Sequence, residues 1–107
     1  MLKYIIAVAI SLVFLLASVT GLAQATGADT YKAKCQMCHG ADGLGNTPAG
    51  KAMNAHPFNS PDVLKESDAD LTTIIKGGKN KMPAFSGKLT DAQITDVLGY
   101  IHTLQKK

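Results

Sequence analysis

Cys35-Gln36-Met37-Cys38-His39 is the stretch on which the reading of this chain turns. It holds both cysteines of a 107-residue sequence, two residues apart and followed at once by a histidine. A redox dithiol of this spacing belongs beside a strand–helix–strand pattern, which is absent here. A zinc site needs a second Cys/His pair at ligand spacing, whereas His56 and His102 stand alone. A structural disulfide across two residues is strained. What remains is C-x-x-C-H as the attachment signature of a c-type haem. Two thiols add across the two vinyl groups on one side of the porphyrin, and two intervening residues place the sulfurs near those carbons. The histidine that follows Cys38 then lies under the iron, which makes His39 the proximal ligand.

Upstream of the motif the composition changes. Of the first 25 residues 19 are apolar, against 30 of the remaining 82. Lys3 supplies a positive start, Tyr4 to Val19 is an apolar run broken only by Ser11 and Ser18, and Ala23-Gln24-Ala25 offers small residues around a cut site. Residues 1–25 therefore read as a cleaved secretory signal, with Gly21-Leu22-Ala23 as a second place to cut. The run of 16 residues from Tyr4 to Val19 falls short of the roughly 20 that a membrane span needs. The expected location is the periplasm or another extracytoplasmic space, with no stable membrane insertion after cleavage. Cysteines there are oxidised, metal-bound or covalently capped.

Residues 26–107 are long enough for one domain, which excludes a multidomain enzyme and a multi-span membrane protein. A net charge of +3 from 11 lysines and 8 acids, with no arginine, gives too weak a field for a nucleic-acid binder. Three helical stretches are predicted. The first covers about Ala28 to Cys38. The second, about Asp68 to Lys76, has Ser67 as cap, Asp70 at the third position, a Leu71/Ile74/Ile75 stripe and a Gly77-Gly78 stop. The third opens on a capping box of Thr90 and Gln93 and carries Ile94, Val97, Leu98, Ile101 and Leu104 at helical spacing. A short turn is expected at Pro61 to Glu66, and no stretch alternates as a strand. Gly40 to Ser60, with three glycines and two prolines after Gly40, reads as an irregular section of about 20 residues, which must wrap around something. Past residue 25 the chain has two phenylalanines, two tyrosines and no tryptophan. Haem would supply the missing centre.

A second axial ligand must come from Met37, Met53, Met82, His56 or His102. Met37 lies inside the attachment motif and cannot reach the opposite face. Met53 and His56 lie in the Gly/Pro-rich section, and His102 lies near the solvent edge of the last helix. Met82 follows a helix stop and precedes Pro83, and a residue before proline is driven to extended geometry. Lys81-Met82-Pro83-Ala84-Phe85 thus forms a stiff arm well beyond His39, and Met82 is the expected distal ligand.

In these features the sequence resembles the class I cytochromes c of the short bacterial monohaem electron-carrier type. The resemblance rests on the C-x-x-C-H motif with its Gly40-Ala41-Asp42-Gly43 turn, on Met82-Pro83, and on the closing helix after Leu89-Thr90. It implies a small all-α fold of three to four helices around one covalent haem c, and a crossing of first and last helices with Gly27 and Tyr31 facing Val97 and Tyr100. It implies a proline carbonyl that supports the proximal histidine, with Pro48 in that place. It also implies a monomeric electron carrier, not an enzyme, that shuttles electrons between redox partner proteins. Lys76, Lys79, Lys81 and Lys88 all lie within a few residues of the Met82 arm, either as ordinary solvated surface or as a positive collar that steers acidic redox partners. The alternatives are a haem subunit of a larger oxidoreductase and an open-site haem protein that handles peroxide or a gas.

Overall fold

Thr90 begins the longest helix. Its hydroxyl accepts from the Gln93 amide at 3.1 Å, and the Gln93 side chain returns to the Thr90 amide at 2.9 Å, so two otherwise orphaned donors are satisfied reciprocally. Ser67 and Asp70 form a second such box, and Thr26 and Asp29 a third. A computed structural model of the chain describes residues 26–106, and its helices in order are α1 Gly27–Lys34, α2 Gln36–His39, α3 Pro48–Ala52, α4 Pro61–Leu64, α5 Asp68–Gly77 and α6 Asp91–Gln105. The expected signal segment, residues 1–25, lies outside the described residues. Two isolated β-bridges, Lys79 with Met82 and Ser86 with Leu89, are the only extended pairing among the described residues. The domain is all-α.

The second and third predicted helices stand within a residue or two of their expected ends. The first does not run through. Cys35 adopts φ −119° and ψ −35°, closing α1 and opening α2, so the attachment motif sits on a separate short turn. The section from Gly40 to Ser60 is also less irregular than expected. Thr47 accepts from the Gly50 amide at 2.8 Å, and Pro48 at the first position starts α3.

α6 is the spine of the core. It buries Ile94, Val97, Leu98, Ile101 and Leu104, and both α1 and α5 pack against it. Tyr31 and Tyr100 meet at the α1–α6 crossing with ring centroids 5.1 Å apart, as the resemblance implied. Gly27 is there because nothing larger fits: a Cβ at this position would fall onto the backbone carbonyl of Asp96. Gly27→Ala is therefore expected to lever α1 off α6, at about 1–3 kcal/mol. At roughly 4–8 °C per kcal/mol for a domain of this size, calorimetry of the haem-loaded protein would register the loss as a lower melting temperature. An unchanged midpoint would mean that the crossing is not tight.

The distribution of buried side chains is uneven. From Lys32 to Pro57 the only buried residues are Gly40, Gly43, Gly45 and Gly50. Every large apolar core residue lies at Tyr31 or from Phe58 onward. That stretch of the fold carries no apolar core of its own.

Candidate haem site

Two short helices and the loop between them form the site. α2 brings Cys35, Cys38 and His39 onto one turn, and the following backbone folds back beneath them. The Gly45 amide donates to the His39 carbonyl at 2.8 Å. The Thr47 hydroxyl faces the carbonyls of Met37 and Cys38 at 2.7 and 3.1 Å, which clamps α3 against α2. Gly50 closes the contact, since a Cβ there would land on the Cys38 carbonyl. From the other side the Tyr31 hydroxyl donates to the Gly40 carbonyl at 2.6 Å. The backbone of the motif is thus held at Met37, Cys38, His39 and Gly40.

The donor set fits a covalently held haem. Cys35 and Cys38 are free thiols, both half-buried. Burial, followed by the neighbouring Cys38, pushes the Cys35 thiol up to about 11, so it stays protonated at neutral pH. The His39 imidazole is pushed below its ordinary value by burial; a neutral ring is the form that binds a metal. Its Nδ1 is buried with no hydrogen-bond partner, a costly state for a polar atom. The expected bond from this atom to the Pro48 carbonyl is not formed; Pro48 instead serves as the first residue of α3. The His39 ring lies against Phe58, centroids 4.7 Å apart and planes 28° from parallel.

Met82 reaches the same core by another route. Its amide donates to the Lys79 carbonyl at 2.9 Å, and the Lys79 amide returns to the Met82 carbonyl at 3.2 Å. Asn80, at φ 53°, makes this tight turn. Beyond Pro83, the Phe85 and Ser86 amides donate to the Ile75 and Lys76 carbonyls, each at 3.0 Å, pinning the arm to the end of α5. The Met82 side chain is half-buried and packs against the core cluster, as does Cys35, and Phe58 carries that cluster to His39. The other candidates face away: Met37 is 78% exposed and Met53 46%, His56 is exposed, and His102 is bonded to Asp68 and Gln105.

Residues 22–101 match the family model described as "Cytochrome C oxidase, cbb3-type, subunit III". The chain is a class I cytochrome c. Among curated proteins, this cytochrome is 35% identical to cytochrome c6 of Parathermosynechococcus lividus and 38% identical to cytochrome c6 of Synechococcus elongatus, in each case over 72% of this chain and 85% of the relative. It is 32% identical to the cbb3-type cytochrome c oxidase subunit CcoP of Azospirillum brasilense, over 73% of this chain and 27% of that longer protein. Among solved structures, the KustC0563 c-type cytochrome superposes with a TM-score of 0.69 at 26% identity, covering 76% of this chain and 99% of that one. The cytochrome binds one covalently attached haem c, the cofactor of the family.

Sequence reasoning missed two features of the site. Phe58, stacked on His39, comes from a segment 19 residues away in sequence with no local signal. Thr47 did carry one: a threonine before a proline is a helix-start signature, hidden here by surrounding glycines.

Proposed function

We propose that the mature protein is a soluble, monomeric extracytoplasmic electron carrier, exported by residues 1–25 and released after their cleavage. In this reading Cys35 and Cys38 form the thioethers, His39 is the proximal iron ligand and Met82 the distal one. The observation that carries it is that the attachment turn and the Met82 turn, from distant parts of the chain, both border one core cluster. When bound, haem supplies a one-electron ferric/ferrous couple. The protein's own contribution is to hold its ligands fixed. The clamp on α2 and the pinned arm at Met82 leave little for the backbone to do when the charge changes, so reorganisation is small. A thioether from Met82 would favour ferrous iron, and with His39 and Met82 both held to the iron no position would be left for a substrate. An electron carrier needs this arrangement, whereas an enzyme needs an open position. The cytochrome c6 relatives support the same reading.

The lysine collar would steer acidic redox partners. Its four members are not equally available: Lys76 is paired with Asp91 at 2.9 Å, Lys81 reaches the Ala52 carbonyl at 3.4 Å, and Lys88 lies over the Phe85 ring at 5.9 Å. Lys79 is exposed and makes no ion pair among the described residues. Lys79→Glu is therefore expected to slow the bimolecular reaction with an acidic partner several-fold at low ionic strength, and the difference should shrink as salt is raised. Stopped-flow rates indifferent to both changes would remove the collar from the account.

The match to CcoP, together with the family model, supports a second reading, a haem subunit docked in an oxidase. Size-exclusion chromatography of the native protein separates the two: a free shuttle elutes as a small monomer, a docked subunit with a large complex.

A further inference from the structure

The rear of the site carries a chain of polar contacts that the electron-carrier reading does not use. Asp68 begins α5, and its Oδ1 lies 2.7 Å from Nε2 of His102 on α6. Nδ1 of the same ring lies 2.7 Å from Oε1 of Gln105. The Gln105 amide is oriented by its other end, where Nε2 donates to the Phe58 carbonyl at 3.0 Å. Phe58 in turn stacks on His39. Its amide donates to the Gly43 carbonyl at 2.9 Å, and a Cβ at Gly43 would sit 2.5 Å from its ring. The Tyr31 ring meets it edge-on, centroids 6.2 Å apart.

Donor and acceptor roles along this chain are determined by its end. Because Gln105 gives its Nε2 to Phe58, it presents oxygen to His102. Asp68 also presents oxygen. Both ring nitrogens of His102 therefore face acceptors, and only the imidazolium, with two N–H groups, satisfies both. A neutral ring must give one up. Keeping Nε2–H on the carboxylate retains the charge-assisted bond, so Nδ1 becomes the lone pair. Gln105 is then left with oxygen facing a lone pair, or must turn its amide over and put oxygen against the Phe58 carbonyl. Either outcome costs a bond in the chain. The charged groups acting on the ring are Asp68 from α5 and Lys106, which caps the end of α6. The bonds to Gln105 and Asp68 raise its pKa, while burial and Lys106 lower it, and the balance is a raised value.

From this geometry we propose that His102 and Gln105 form a protonation-dependent tether that holds Phe58 against His39, so that Phe58 is a positioning residue for the proximal iron ligand. The inference rests on the assignment of His39 as that ligand. Protonated His102 keeps the tether tight; loss of the proton breaks either the His102–Gln105 bond or the Gln105–Phe58 bond, and either break slackens the hold on the ring that backs the imidazole.

The test uses the ferric haem-loaded protein. Proton NMR follows the His102 ring and the paramagnetically shifted His39 ring signals from pH 5 to 9, with the reduction potential measured over the same range. The wild-type His39 signals and the potential should move with the His102 midpoint, which should lie above that of a free histidine. In Gln105→Leu His102 should still titrate, but the His39 signals should no longer follow. In His102→Gln the step should be absent altogether. A His39 response that persists at full size in Gln105→Leu would show a through-space charge effect and overturn the tether, as would wild-type His39 signals that ignore the His102 midpoint. His39→Ala distinguishes failure of the ligand assignment: a haem spectrum unchanged by that substitution would remove His39 as ligand and this inference with it.

Discussion

Replacing Cys35 and Cys38 together by alanine is expected to leave a largely unfolded chain when the protein is made without haem attachment. The reason lies in where the core is. Between Lys32 and Pro57 only glycines are buried, and the short helices α2 and α4 bury nothing. The remaining cluster, on α1, α5, α6 and at Phe58, Phe85 and Leu89, is small, with only Tyr31, Ile94 and Val97 fully enclosed among its larger side chains. A single core in a chain of about 80 residues rarely supplies more than about 3–5 kcal/mol. A cofactor that binds only the folded form adds its binding free energy to that figure, so without it the balance tips toward the unfolded state. Far-ultraviolet circular dichroism should show most of the helical signal lost and no cooperative melt. A native-like spectrum with a sharp transition would mean that the polypeptide is its own scaffold.

Met82→Ala should have the largest effect on the redox chemistry. The turn that carries Met82 is held by main-chain bonds, Lys79 to Met82 and Phe85 to Ile75, so truncating the side chain removes the sulfur and leaves the backbone support. The fold is expected to survive while the iron loses its soft ligand. The reduction potential should then fall by a sizeable part of the roughly 0.8 V range over which axial ligands set haem potentials. The weak sulfur-to-iron band in the near infrared should disappear, and the reduced variant should bind carbon monoxide where the parent does not. A variant with its potential and band intact would make Met82 a packing residue and favour the open-site alternative.

Much of this arrangement is legible in the sequence because it is local. Ser67 with Asp70 and Thr90 with Gln93 announce α5 and α6 within four residues each, and the α6 stripe states which face is buried. The C-x-x-C-H motif carries its own chemistry. What could not be read is non-local. Nothing between Ala28 and Cys38 breaks a helix, yet the chain bends at Cys35, where the motif turns to meet the loop clamped by Thr47. Pro48 sits where a supporting carbonyl is expected, yet His39 keeps an unpartnered Nδ1. The stack of Phe58 on His39 and the link through Gln105 join segments 47 residues apart, which no periodicity reveals.

On the proposed reading one haem, attached through Cys35 and Cys38 and ligated by His39 and Met82, completes the core that the stretch from Lys32 to Pro57 does not supply. Redox-controlled absorption spectroscopy of protein made with a c-type maturation system tests it most directly. One haem per chain should stay with the polypeptide after denaturation, with sharp bands on reduction and the sulfur-to-iron band on oxidation. Colourless, well-folded protein with both thiols open to alkylation would contradict it.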